Sequence, residues 1–149
     1  MKKILTLIAL VAIVVSCGNK NSTQNESTAQ DESFIKEEAA VEDAAKDFIK
    51  KMYNERLFED DQFLNAHCSP LLLGKLRDAY DYDDEQGLAS WLFRSEDQDG
   101  PSDRHEIIKV ESEGNNWYKY EFYDMGTKGS HRIKLILGTN DEIIIDDLE

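Results

Sequence analysis

The side chains in this sequence that could do acid–base work are few, and they gather toward the C-terminal end. Tyr118, Tyr120 and Asp124 stand within seven residues of one another, with His105 and His131 on either side. A carboxylate or imidazole acting as general base, beside a tyrosine that donates to a developing oxyanion, is the equipment of a pocket isomerase or dehydratase. No fixed spacing ties these groups together. Residue by residue they read as structure: Tyr118 and Tyr120 as core edges with hydroxyls at the rim, Asp124 before Met125-Gly126 as a turn residue, and His105 and His131 as surface groups at strand ends. Tyr118, Tyr120 and Asp124 are kept as candidate ligand-binding residues, and no residue is assigned a catalytic role. Cys68 follows His67, and adjacent residues do not face each other on a helix, so the pair is poorly placed for nucleophilic catalysis. Cys68 reads as a buried structural thiol, with an intermolecular disulfide as the lesser alternative.

Two acidic stretches invite a metal reading. Asp81-Tyr82-Asp83-Asp84-Glu85 lacks the ligand offsets, the central glycine and the closing glutamate of a calcium loop. Asp97, Asp99 and Asp103 surround Gly100-Pro101, which is first a turn signal. Arg94, just before them, is expected to pair with one of these carboxylates or to cap a helix end. No metal and no cofactor is expected.

The elements that must position these residues follow from periodicity. Val41, Ala45, Phe48 and Met52 recur at helical spacing, widened by Ala44, Ile49 and Tyr53, and predict a helix from about Ser33 to Leu57 with Ser33 as its cap. Asp60 to Leu64 reads as a short turn or helix. Ser69-Pro70 places an N-cap before a proline at the first helical position, and Leu72, Leu76, Ala79 and Tyr80 continue one face. Trp91-Leu92-Phe93 marks the change to strand periodicity. Strands are expected at 107–111, 117–123, 130–137 and 143–146, with turns at 113–116 and 138–141. In the third of these, Ile133, Leu135 and Leu137 should share the buried face. Short connections make consecutive antiparallel strands a meander, so the fold class is α+β, with N-terminal helices packed on one face of a C-terminal antiparallel sheet.

The N-terminus carries its own chemistry. Lys2-Lys3, the apolar run from Ile4 to Val15 and small Ser16 before Cys17 are laid out as a cleaved secretory signal, far shorter than the roughly 20 residues of a membrane-spanning helix. Val14-Val15-Ser16-Cys17 resembles a bacterial lipobox. The resemblance implies cleavage before Cys17, lipid on its thiol and acylation of the new amino terminus, and several acyl chains make a lasting anchor where one does not. Residues 1–16 are therefore read as a lipoprotein signal peptide, 17–33 as lipidated cysteine and polar disordered tether, and 34–149 as the folded domain. Gly18-Asn19-Lys20-Asn21 lacks the acidic cluster that follows the lipidated cysteine of some surface-exported lipoproteins. The expected location is a cell-envelope membrane, facing the periplasm, with surface exposure as the alternative.

Charge narrows the partners. The chain carries 17 basic and 31 acidic side chains, a formal charge of −14, and loss of residues 1–16 removes two lysines to leave −16. Such a field repels nucleic acid and anionic lipid headgroups and steers basic ligands toward the domain, besides keeping it soluble. With Cys17 taken by the anchor, Cys68 has no partner for an internal disulfide.

The helices followed by Trp91-Leu92-Phe93-Arg94 with Gln98-Asp99-Gly100, the strand Trp117 to Gly126 and the closing Ile143-Ile144-Ile145-Asp146-Asp147-Leu148 together resemble a family of Gram-negative lipoproteins with a domain of unknown function. That family is similar in fold to nuclear transport factor 2-like and cystatin-like proteins. The resemblance covers about Phe34 to the C-terminus and implies a sheet curled over helices; relatives of that fold include enzymes, binders and scaffolds, so it assigns no activity. The sequence favours a noncatalytic module that binds a small ligand or a protein. The alternatives are a small pocket enzyme and an inhibitor or immunity-like partner of a basic envelope protein.

Overall fold

The computed structural model describes residues 27–80, 87–95 and 100–149, with side chains from Ala39 onward. The expected signal peptide, Cys17 and most of the expected tether lie outside these residues, as do the acidic run 81–85 and Asp97 and Asp99. In the described residues three α-helices precede a four-stranded antiparallel sheet: α1 (Ser27–Asn54), α2 (Asp61–His67), α3 (Pro70–Asp78), then β1 (Glu106–Gly114), β2 (Trp117–Asp124), β3 (Thr127–Leu137) and β4 (Ile143–Leu148). The strand order is β1-β2-β3-β4, the expected meander. The chain is α+β.

Helix α1 starts six residues before the expected cap at Ser33. Ser27 to Glu32 contain neither glycine nor proline, so nothing in the backbone chemistry halts a helix there; the stretch was unreadable because it lacks an apolar stripe. The helix ends where Arg56 turns left-handed (φ 55°), and a short 3₁₀ turn, Leu57–Glu59, follows. Asp60 then caps α2 by accepting from Gln62 N at 2.8 Å. Ser69 caps α3 with Pro70 at its first position, as expected. Leu72 and Leu76 are buried, but Ala79 lies beyond the helix end and is exposed, and Tyr80 turns instead against the Trp91 ring.

Two hairpins fix the register of the sheet. Asn115-Asn116 (φ 51° and 65°) and Met125-Gly126 (φ 48° and 82°) each adopt the doubly left-handed two-residue turn that matches strand twist. The second lets β3 resume at Thr127, three residues before its expected start. Along β2 burial alternates strictly, with Tyr118, Tyr120, Phe122 and Asp124 on the buried face. Their partners on β3 are Ile133, His131, Gly129 and Thr127. Gly129 is required there, because a Cβ would sit 2.6 Å from the Phe122 ring. Leu137, expected on the same face as Ile133 and Leu135, is exposed at the strand end.

Bulges let the outer strands serve the core. In β1 the register slips between Ile107 and Lys109, so that Ile107 and Val110 pack inward while Ile108 is turned out, 41% exposed. A slip in β4 likewise lets both Ile145 and Leu148 reach the core. That core lies between one face of the sheet and the helices and is filled by Ile49, Met52, Tyr53, Phe58, Leu64, Leu72, Leu76 and Phe93 from the helical side. The free edge of β4 is covered by the α2–α3 junction: Ser69 N donates to Ile145 O (2.8 Å), Ser69 Oγ donates to Asp146 O (3.2 Å), and His67 Nδ1 lies 3.2 Å from Ile143 O.

Candidate functional site

The only fully buried carboxylate among the described residues is Asp124, the last residue of β2, with 0% exposure. Strand alternation aims it inward, one step beyond Phe122, and three groups meet it. Arg94 Nε donates to Oδ2 at 2.7 Å, Ser95 Oγ donates to the same oxygen at 2.8 Å, and His105 Nδ1 stands 3.4 Å from Oδ1. Arg94 also reaches Glu59 at 3.6 Å and covers the site from solvent, with 19% of its side chain exposed. Burial works against the Asp124 charge, but the hydrogen bonds from Ser95 and Arg94, the Arg94 charge and the His105 contact outweigh it, and the carboxyl is held below its ordinary value.

His105 links this carboxylate to α1. Its Nε2 lies 2.8 Å from Tyr53 O, in the last turn of the helix, and its ring stacks on the Tyr53 ring with centroids 4.4 Å apart and planes 9° from parallel. Both ring nitrogens thus face oxygen acceptors; a neutral imidazole donates to one, and the doubly protonated ring donates to both. The Tyr53 hydroxyl donates to Tyr123 O at 3.3 Å, closing the group onto β2. Burial raises the Tyr53 pKa well above that of a free phenol, and the nearby Asp124 charge adds to the rise. Tyr53 is an un-ionised donor.

The short segment from Phe93 to Ser95 is stapled across the sheet by three inner-face side chains. Tyr120 Oη donates to Phe93 O (3.0 Å), His131 Nε2 donates to Arg94 O (2.9 Å), and Asp124 receives Arg94 and Ser95. His131 also stacks on Phe122, with centroids 5.4 Å apart.

An Asp, a His and a Ser in one cluster invite comparison with a nucleophilic triad. The connections are wrong for one. In a triad the histidine sits between the carboxylate and the serine; here Ser95 donates to the carboxylate directly, and the distal histidine nitrogen faces the backbone oxygen of Tyr53. No buried side-chain nitrogen or oxygen among the described residues lacks a hydrogen-bond partner. Chemically the cluster can hold a charge and clamp three parts of the chain, but it presents no free base or nucleophile.

The sequence-derived candidates therefore separate. Asp124 is not a turn residue; it precedes the Met125-Gly126 turn and its side chain is the centre of the cluster. His105 and His131 are not surface groups at strand ends, because the side-chain alternation of β3 and the stacking on Tyr53 carry both inward. Tyr120 does not hold its hydroxyl at the rim: it is fully buried and bonded to Phe93 O. Tyr118 is mostly buried; burial raises its pKa, with Glu42 and Lys46 of α1 as its charged neighbours, and it takes no part in the Asp124 cluster. Arg94 does pair with a carboxylate, that of Asp124; Asp97 and Asp99 lie outside the described residues. Sequence reasoning missed Tyr53, Arg94 and Ser95 as members of one site; the available signal was the alternation of β2, which extended by one residue would have placed Asp124 inside and raised the question of its partners.

Cys68 is buried, and burial pushes its thiol up to about 12, as a structural thiol requires. Asp103 is exposed, and among the described residues no group of three or more His, Cys, Asp or Glu is placed to hold a metal. No described helix is long and apolar enough to cross a membrane. Compared with known protein families, curated proteins and solved structures, the chain matches none.

Proposed function

We propose that this protein is an envelope lipoprotein, anchored through acylated Cys17, whose acidic α+β domain is a noncatalytic binding module for a basic protein or ligand. The observation that carries the noncatalytic reading is the closure of the Asp124 cluster: each group able to act as acid or base there is engaged by another group of the chain. A pocket enzyme needs the opposite, a base or donor left open toward substrate. The core beside the cluster is filled by Met52, Phe58, Phe93 and Phe122.

The kind of partner follows from the net charge. On the helical layer exposed Asp43, Asp47, Glu55, Asp60, Asp61 and Asp78 stand beside exposed Lys50, Lys51, Arg56, Lys75 and Arg77. The open face of the sheet is balanced by Lys119, Lys128, Arg132 and Lys134, which pair with Glu121, Glu113 and Asp146. A net charge of −14 accelerates encounter with a basic partner and leaves the binding salt-sensitive. The order of helices before a four-stranded meander supports the likeness to nuclear transport factor 2-like and cystatin-like folds at the level of architecture alone, which assigns neither binding nor catalysis.

Crosslinking in intact cells, with identification of the captured protein, tests the binding role. The expected partner is basic and its affinity falls steeply with added salt; affinity unchanged at high salt refutes the electrostatic account. The anchor has a separate test. Cys17→Ser should move the protein from the detergent-extracted membrane fraction to the soluble one, and unchanged partitioning refutes lipid attachment at Cys17.

A further inference from the structure

The two edges of the sheet are treated differently. The β4 edge is covered by Ser69 and His67, whereas among the described residues the outer side of β1 receives only the Asn54 side chain, which accepts from Ile107 N at 2.8 Å. From Ile108 to Gly114 every residue but Val110 is exposed. An edge of this length is a template for a further strand.

We propose that β1 pairs with β1 of a second copy of this chain, antiparallel about a two-fold axis at Val110, to give a weak dimer with one continuous sheet. The charges select the occupant and the register. A continuous sheet requires residues of the same face to stand opposite each other, which limits the registers to steps of two. Centring on Lys109 sets lysine against lysine, and centring on Glu111 sets glutamate against glutamate, like charges that destabilise a cross-strand pair. Centring on Val110 sets Lys109 against Glu111 of the partner copy, twice. Within one chain Lys109 Nζ already lies 2.6 Å from Glu111 Oε1 on that face. Pairing converts two such couples into a ring of alternating sign.

The extent of the interface follows from the bulges. Register slips at Ile107/Lys109 and Ser112/Gly114 confine regular pairing to Lys109–Ser112. So short a contact falls at the weak, transient end of protein interfaces. The two-fold is closed, and the covered β4 edges prevent the sheet from growing further.

The test uses the full chain in a density-matched detergent, followed by sedimentation across a concentration series, with amide exchange at 109–112 as a second readout. The wild type is expected to dimerise with rising concentration and to gain protection at those amides. Lys109→Glu alone and Glu111→Lys alone each place like charges opposite and should lower dimer affinity at least tenfold. An equimolar mixture of the two restores unlike pairs between copies and should recover wild-type association. Both side chains are about half exposed (54% and 50%), so folding is unaffected, and circular dichroism checks it. A wild type monomeric at every concentration, single variants that associate like wild type, or a mixture that fails to recover would each overturn the proposal.

Discussion

Replacing Asp124 by Asn tests whether the cluster is a clamp. The change keeps the shape of the side chain and removes its charge. Asn retains an acceptor for Ser95 or Arg94 but loses the ionic component of the Arg94 bond (2.7 Å) and the partner for His105 (3.4 Å), and it leaves the guanidinium under-compensated in a half-buried place. Hydrogen bonds to charged groups contribute about 1.5–3 kcal/mol, and breaking a fully buried ion pair costs roughly 3–5 kcal/mol. Arg94 retains some contact with water, so the expected loss falls below the second range, at about 2–3 kcal/mol. In a urea titration with a slope of about 1.5 kcal/mol/M, the midpoint should fall by roughly 1.5 M with the slope unchanged.

The pH dependence makes this prediction specific. Folding holds the Asp124 carboxyl below its ordinary value, so the unfolded chain takes up the proton first. The stabilisation is complete above the ordinary carboxyl pKa of about 3.9 and is lost as pH falls through the folded-state value. Wild type and Asp124→Asn should therefore differ by a constant amount around neutrality and converge only on the acid limb. A difference below about 0.5 kcal/mol at neutral pH, the range of ordinary surface changes, would refute the clamp. So would a difference that persists unchanged into strong acid, which would point to shape rather than charge.

Three further outcomes follow from the same coordinates. Gly129→Ala drives a Cβ to 2.6 Å from the fully buried Phe122 ring, which is held by Tyr53 and His131, and should cost about 1–3 kcal/mol in equilibrium denaturation. Ser69→Ala removes both the α3 cap and the bond to Asp146 O; thermal melting should show a loss of about 1 kcal/mol, roughly 3–5 °C in Tm, and no drop would mean that the cap is dispensable. In a Cys17→Ser background, Cys68 with its thiol pushed up to about 12 should react with a thiol reagent at neutral pH about a thousandfold more slowly in the folded protein than in urea, as thiolate population dictates. Comparable rates in the two states would contradict its burial.

Local signals account for what the sequence disclosed. Ser69-Pro70 carries cap and first-turn chemistry in two residues, and α3 begins there. The period-two pattern from Trp117 onward is long and aromatic, and Asn115-Asn116 suits a doubly left-handed turn, so the meander was legible, whereas Met125, left-handed at φ 48°, does not announce the second turn. Less legible were features whose cause lies far along the chain. Ile108 faces outward because of a bulge, and a bulge breaks the alternation on which the reading depends. Leu137 keeps the pattern yet is exposed at the strand end, so alternation alone does not decide burial. The 27–33 end of α1 has no apolar face to announce it.

Asp124 shows the limit most sharply. Strand alternation assigns it to the buried face, whereas its chemistry and the adjoining Met125-Gly126 argue for a solvated turn. The cost of burying a carboxylate would decide for the turn unless partners exist. Those partners come from 30 residues upstream at Arg94, 29 at Ser95 and 19 at His105, from segments that carry no mark of facing one another. Composition alone cannot separate a clamp from an active site, since an Asp, a His, a Ser and a Tyr suit either. The distinction rests on two connections: Ser95 donates to the carboxylate instead of to the imidazole, and His105 Nε2 turns to the backbone of α1 instead of to an open face. Reversing either would free a base or a nucleophile for chemistry, and as they stand they bind helix, linking segment and sheet into one body.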